Sequence, residues 1–313
     1  MKTVFEVNQI ESPSSIALGC FDGIHPGHRA VLEQALAGKR DGLSPGVFTF
    51  GTPERMLPPV KHADELMSLR MKQNMLETMG FDWLTVAAFE PLRNLSPEEF
   101  VRDILRNVLN AKRVCCGFNY RFGKNGIGDA TLLRSLGETY GIEVCVSDAV
   151  EIAGAPVSST RIRQAIAAGD MEQAEMLLGQ PFTIDFVVVH GRQLGRKLGT
   201  PTINQEFPAQ FVLPRFGVYA SCATVDGVRY PAVTNAGMKP TVLAERPLAE
   251  TFLDGFSGDL YGKNVEVEFL QFMRPEQKFD SIAELQKQIL LDAKRAGEIL
   301  NARESAEKNK NIL

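Results

Sequence analysis

The most constraining stretch of the chain is Gly19–His28, GCFDGIHPGH, which separates a strand-like apolar run, Ser15–Leu18, from a helix-like run, Arg29–Leu36. That order is the hand-over from a parallel strand to its crossover helix, and it commits this part of the chain to an open α/β sheet. Free backbone N–H groups and the dipole at a helix start favour anions. His25 and His28, two of only four histidines, stand at that start. Imidazole N–H groups there can donate to phosphate oxygens and spread the charge that develops during transfer at phosphorus. The spacing therefore predicts a nucleotide-phosphate site outside the carboxyl end of a strand.

The whole chain sets the limits on that reading. With 313 residues, 44% hydrophobic and 23% charged, it is long enough for two packed domains rather than one core. Its 34 basic and 38 acidic residues leave a formal charge of -4, which argues against nucleic acid and against a membrane surface as partners. The N-terminal stretch MKTVFEVNQIESPSS has no apolar core. No apolar run approaches the roughly 20 residues that span a bilayer, so a cytoplasmic protein is expected. The five cysteines show no CxxC spacing and read as reduced structural thiols. Self-association is left open.

Along the first half, short apolar runs alternate with amphipathic segments, the pattern of a parallel sheet covered on both faces. Strands are expected at Ile16–Cys20, Val47–Phe50, Trp83–Phe89, Arg113–Gly117 and Glu143–Val146. In Leu95–Phe100 (LSPEEF), Ser96 can cap, Pro97 suits the first helical position and Glu99 completes a capping box. The pattern changes near Gly179 and Pro181, which places a first domain over 1–180 and a second over 181–313. Phe182–His190, Val218–Val225, Arg229–Val233 and Val265–Phe272 read as strands, and Asp226-Gly227 as a tight hairpin turn. An antiparallel, barrel-like domain follows. Ser281 and Glu284 form a second capping box, opening a closing helix whose Ile282, Leu285, Ile289, Ala293, Ala296 and Leu300 recur at helical spacing. Fraying is expected from Arg303 onward.

Two further stretches carry chemistry. Val157–Arg163 (VSSTRIR) opens a helix on which Ser158, Ser159 and Thr160 can cap while Arg161 and Arg163 suit phosphate oxygens; alone it fits an ordinary capped helix equally well. Cys116–Gly128 (CGFNYRFGKNGIG) has the glycines and aromatics of a loop laid against a planar ligand, or of one packed by its own side chains.

GCFDGIHPGH resembles the GxFDGxHxGH motif of the HIGH-type nucleotidyltransferases, and VSSTRIR their SSTxIR motif. CGFNYRFG narrows the resemblance to the prokaryotic bifunctional riboflavin kinase and FAD synthetase family. GRQLGRKLGTPTIN (Gly191–Asn204), TNAGMKPT (Thr234–Thr241), Glu250-Thr251 and DLYGK (Asp259–Lys263) match its kinase half in order. The resemblance implies a Rossmann-like α/β nucleotidyltransferase domain followed by an antiparallel β-barrel kinase domain with a C-terminal helix. It implies phosphorylation of riboflavin to FMN, then adenylylation of FMN to FAD, with ATP as the other substrate and Mg²⁺ as cofactor.

Roles follow residue by residue from that likeness. Gly19, Phe21, Asp22, Gly23, His25, His28, Ser159, Thr160, Arg161 and Arg163 would hold ATP for adenylyl transfer, with His25 and His28 also catalytic, and Asn119 and Arg121 would place the flavin. In the kinase half, Gly191, Gly195, Lys197, Gly199, Thr202 and Asn204 would meet ATP, Thr202 and Asn204 also the metal, and Glu250 would be the base. His190 reads as structural. The chain departs from the family pattern at TFGTP (Thr49–Pro53), which lacks a histidine, and at Phe186, Thr200 and Phe252. A one-activity descendant or a flavin-binding regulator would keep some of these motifs, whereas a nucleotidyltransferase for another phosphate would leave PTIN and DLYGK without a purpose.

Overall fold

The computed structural model describes residues 1–52, 64–191, 200–240 and 245–310. Its contacts divide the chain into two compact units, Met1–Ser159 and Thr160–Leu313.

The first unit is built on six parallel strands: β1 (Lys2–Val4), β2 (Ser14–Leu18), β3 (Ser44–Phe50), β4 (Trp83–Ala87), β5 (Ala111–Gly117) and β6 (Glu143–Ser147). They lie in the order β1-β4-β3-β2-β5-β6. All five expected strands are present within a few residues. The short edge strand β1, paired in parallel with β4, gave no signal in three residues. β2 is buried along its whole length, so both faces must be apolar. Ile16 and Leu18 join one core with Phe48, Phe100 and Leu133, while Ala17 joins the other with Val31, Leu32 and Leu76. Helix α1 (Pro26–Ala37) and α2 (Leu69–Met79) cover the second face. After β2 the chain builds outward through β3 and β4, then crosses to β5 on the other side of β2. The switch point therefore lies between the carboxyl ends of β2 and β5.

On the first face, a helical turn α3 (Phe89–Leu92) precedes α4 (Pro97–Glu99), where Ser96 and Glu99 form the expected capping box. The helix then continues over Phe100–Val108 as a π-helix rather than a regular α-helix. Helix α5 (Ala130–Tyr140) completes this layer.

In the second unit a helix pair, α6 (Ser159–Ala168) and α7 (Met171–Leu178), precedes seven antiparallel strands. These are β9 (Phe182–Ile184), β10 (Val188–Val189), β11 (Thr202–Glu206), β12 (Gly217–Val225), β13 (Val228–Pro240), β14 (Glu245–Leu253) and β15 (Glu266–Arg274), after a small hairpin, β7 (Glu151–Ile152) and β8 (Ala155–Pro156), that belongs to the first unit. The order is β10-β11-β14-β13-β12-β15-β9. The single run expected over Phe182–His190 is thus split into strands at opposite ends of the sheet. Both pieces keep one register against 263–269, with Ile184 opposite Val267, Val187 opposite Asn264 and the Val188 N–H donating to the Lys263 carbonyl, and the far piece also pairs with β11, which joins the two ends of the sheet. Gln205, fully buried, donates from Nε2 to the Phe186 and Val265 carbonyls at 2.7 and 2.8 Å and ties this closure from inside.

Asp226 (φ 49°) and Gly227 (φ 79°) make the expected turn between β12 and β13, with both central residues left-handed. Helix α8 (Ile282–Lys310) lays Ile289, Ala293 and Ala296 on Val218, Ala220, Val233 and Phe252. Two details differ from expectation. Ser281 caps the Glu284 N–H, but Glu284 reaches back to the Asp280 N–H. The helix does not fray at Arg303, whose guanidinium bonds Glu175 at 2.6 Å and the Leu270 carbonyl.

Candidate functional site

In the first unit the loop after β2 is held in a conformation few residues adopt. Phe21 (φ 48°), Gly23 (φ 87°) and Ile24 (φ 40°) are all left-handed, and two of them carry side chains that strain that region. The loop is tied down on several sides. Asp22, almost fully buried, accepts from the Leu66 N–H at 2.9 Å, and its carbonyl accepts from Ser159 Oγ at 3.0 Å. Ser159 therefore spends its hydroxyl on this loop instead of capping its own helix.

His25 is the N-cap of α1, with Pro26 next. The His28 N–H is shared between the His25 carbonyl (2.8 Å) and His25 Nδ1 (3.3 Å). With Nδ1 accepting, the ring proton belongs on Nε2, which is left as a donor. The two imidazoles stack at 3.7 Å, and Phe21 meets His28 edge-on at 5.5 Å. Burial lowers the pKa of His25 to about 4, its backbone hydrogen bond opposing, so this ring is neutral at pH 7. Gly27 lies so close that a Cβ would sit 3.3 Å from the His25 ring.

Behind the loop stands a residue the sequence reading missed. Lys72 of α2 is fully buried, and its Nζ donates to the Cys20 carbonyl at 2.8 Å. Desolvation lowers its pKa, opposed chiefly by Asp22. The available signal was a lysine on the apolar face of α2, which reads as a stray charge until the fold puts a carbonyl and a carboxylate beside it.

Across the switch point, the loop after β5 settles between its two readings. Phe122 is buried and hydrogen-bonds twice with Gly128, and Tyr120 stacks on Phe122. Burial raises the pKa of the Tyr120 hydroxyl. These two rings pack the loop itself. Phe118 and Ile127 are exposed, as are Asn119 and Arg121, and these are the side chains a ligand could meet. Thr160 is exposed, and Arg161 and Arg163 are half-buried on the first turn of α6.

In the second unit the motif residues converge on neighbouring strands. Asn204 of β11 pairs directly with Glu250 of β14, and Glu250 with Asn235 of β13. Residues paired across antiparallel strands share a face. Thr202, two positions from Asn204, shares it too, and its Oγ1 donates to Glu250 Oε1 at 3.0 Å. Gly191 packs against Asn204 so tightly that a Cβ would stand 2.4 Å from its Nδ2. Asn235 donates to Glu276 at 3.0 Å; neither was singled out from sequence as a site residue. Gly195, Lys197 and Gly199 lie outside the described residues, as do Pro53 and His62. His190 stacks on Tyr261 of DLYGK at 3.8 Å.

Two of the departures, Phe186 and Phe252, have packing explanations. Phe186 sits edge-on to Phe207 and Phe211 and Phe252 is buried beneath α8, whereas Thr200 is buried with its hydroxyl unpartnered among the described residues.

A phosphate-type loop at the switch point of a parallel sheet, joined in one chain to a closed antiparallel barrel with a Thr–Glu–Asn face, defines a nucleotidyltransferase-like α/β domain followed by a flavokinase-like barrel. The family model described as FAD synthetase matches residues 7–161, and that described as riboflavin kinase matches 178–300. The chain belongs to the bifunctional riboflavin kinase/FMN adenylyltransferase family. Relatives of that description are 35% identical over 283 residues in Listeria monocytogenes, covering 88% of this chain and 89% of that one, and 36% identical over 287 residues in Escherichia coli K12, covering 90% and 91%. A solved structure described as a macrolide-efflux protein from Streptococcus pneumoniae is also similar, at 30% identity and a TM-score of 0.80, covering 94% of this chain and 98% of that one. Among the described residues no helix is long and apolar enough to cross a membrane.

Proposed function

We propose that the protein phosphorylates riboflavin with ATP to FMN in residues 181–313, and adenylylates FMN with a second ATP to FAD and pyrophosphate in residues 1–180. The observation that carries the reading is the Thr202–Glu250 hydrogen bond on the face that also presents Asn204. The terminal ribityl hydroxyl is protonated at neutral pH and needs a positioned base. Glu250 is that base, and the Thr202 hydroxyl donates to its carboxylate and orients it. Gly191 brings its backbone against Asn204 and, with Gly195, Lys197 and Gly199, takes the ATP phosphates. Mg²⁺ fits the donor set here, because the Thr202 hydroxyl and the Asn204 amide oxygen are hard ligands that leave most positions to phosphate and water. When bound, it would draw off charge from the transferring phosphoryl group.

Adenylyl transfer makes different demands. Its nucleophile, the FMN phosphate, has a second pKa of roughly 6 and is largely ionised already, so the protein supplies alignment and donors. Neutral His25 donates from Nε2, and His28 lies stacked on it. Gly19, Phe21, Asp22 and Gly23 shape the ATP loop, Ser159 anchors it, and Thr160, Arg161 and Arg163, which follow in the chain, add positive charge and a hydroxyl for ATP. Asn119 and Arg121, beside exposed Phe118, receive the flavin. Such small-molecule substrates suit a cytoplasmic enzyme.

The test is to incubate purified protein with riboflavin, ATP and Mg²⁺ and resolve the flavins over time. FAD formed by way of FMN is expected. Glu250→Gln should halt FMN formation yet still convert supplied FMN to FAD. Absence of both products would overturn the reading.

A further inference from the structure

Lys72 belongs to neither motif of the first unit, yet among the described residues it is the most deeply buried charge there, with no exposed surface at all. Nothing about sheet packing requires it. Neighbouring positions on the same face of α2, among them Met71, Met75 and Leu76, are apolar and fill the core beside Ala17 and Val47. Burying an ammonium costs several kcal/mol unless it is compensated; here the charges of Asp22 and Glu65 compensate in part, and the hydrogen bond that fixes the direction of the ammonium goes to the Cys20 carbonyl, at 2.8 Å. Thr49 Oγ1 approaches the same carbonyl at 3.4 Å.

That carbonyl opens the strained part of the phosphate loop. A trans peptide holds its N–H opposite its C=O, so drawing the Cys20 carbonyl toward α2 turns the Phe21 N–H away from α2. The Phe21 side chain is buried, at 1% exposure, but its N–H has no acceptor among the described residues. Backbone donors in buried settings are almost always satisfied. One left open, one residue past the end of a parallel strand and beside the N-terminus of α1, is placed for an anionic ligand. The left-handed φ of Phe21 is a conformation that would relax if nothing held the preceding carbonyl.

We propose that Lys72 is a positioning residue for adenylyl transfer: through the Cys20 carbonyl its ammonium locks the Cys20–Phe21 peptide so that the Phe21 N–H donates to the phosphate chain of the bound nucleoside triphosphate. The proposal rests on the adenylyltransferase reading given above. It assigns to a backbone donor, set by a side chain on another element, part of the charge stabilisation otherwise left to the histidines and arginines.

The test uses the full-length protein, whose two activities can be measured on one preparation. Lys72→Met keeps the length and packing of the stem and removes the ammonium, and Lys72→Arg keeps a buried cationic donor. Removing one preorganised donor from such a site typically costs about 10²–10³ in kcat. We expect Lys72→Met to lower kcat for FAD formation from FMN by about 100-fold with KM for FMN changed less than threefold, riboflavin phosphorylation unchanged, and Lys72→Arg to recover at least tenfold of the loss. A Lys72→Met kcat within threefold of the parent would overturn the proposal, as would a loss that Lys72→Arg does not relieve in a folded protein. If Lys72→Met fails to fold its first unit, Thr49→Val decides, since it removes the weaker donor to the same carbonyl: a several-fold fall in kcat supports the proposal and an unchanged kcat overturns it. A parent protein that makes FMN but no FAD would instead refute the underlying assignment, which keeps the two failures apart.

Discussion

The imidazoles of His25 and His28 lie face to face, 3.7 Å between centroids and 15° between planes, with the His28 N–H shared by the carbonyl and Nδ1 of His25. The two rings are not equivalent. His25 closes the helix end as well as offering a donor, whereas His28 stands one turn in. His25→Ala should therefore lower both adenylyl transfer, by about 100-fold, and the stability of the first unit, by about 1 kcal/mol for the lost cap. His28→Ala should lower transfer alone. Rates of FAD formation together with urea melts of both variants separate the two effects.

The burial of His25 makes a pH prediction. Its folded pKa is lowered to about 4 against 6.5 for the free side chain. Above pH 6.5 both states are neutral and the group contributes nothing to the pH dependence. As pH falls from 6.5 toward 4 the unfolded chain takes up a proton that the folded chain refuses, so stability is lost across that window, by an amount on the order of 3 kcal/mol. The His25 ring resonance should stay at its neutral shift down to about pH 5 in an NMR titration. A midpoint near 6.5 would show that the ring is solvated.

Gly191 has no room for a methyl group, because a Cβ would stand 2.4 Å from Asn204 Nδ2. Gly191→Ala should displace that amide and cut riboflavin phosphorylation by about tenfold or more, since small misplacements of reacting groups cost rate steeply. FAD formation from supplied FMN should be unaffected. Steady-state assay of both steps on one preparation checks this.

Gln205 spans two buried carbonyls at the seam of the barrel. Replacing it with leucine fills the space but leaves the Val265 carbonyl without its donor, at about 1–3 kcal/mol, while the Phe186 carbonyl keeps the Val265 N–H. Gln205→Leu should destabilise the second unit by about 1–3 kcal/mol in chemical denaturation. A neutral effect would mean that the seam closes through backbone bonds alone.

Much of this molecule was legible as sequence wherever the determinant was local. The run into GCFDGIHPGH specified a strand, a tight turn and a helix start, because a short apolar run, the turn glycines and the Pro at the helix start act within a few residues. The Ser96–Glu99 box and the Asp226-Gly227 turn formed as read for the same reason. What depended on residues far apart in the chain was decided only by the tertiary structure. Phe182–His190 reads as one strand because each of its residues suits a sheet, and it does keep one register against 263–269; that its far end also pairs with β11 and joins two opposite edges is decided only by barrel closure. Thr202 and Glu250 are 48 positions apart, and their hydrogen bond exists because β11 and β14 pair in one register. Lys72 looks misplaced on an apolar helix face until β2 delivers the Cys20 carbonyl to it. The sequence by itself determined which residues could do the chemistry and the local frames that carry them. Which of them meet was settled by strand pairing and burial, whose energies come from surfaces that only the assembled chain brings together.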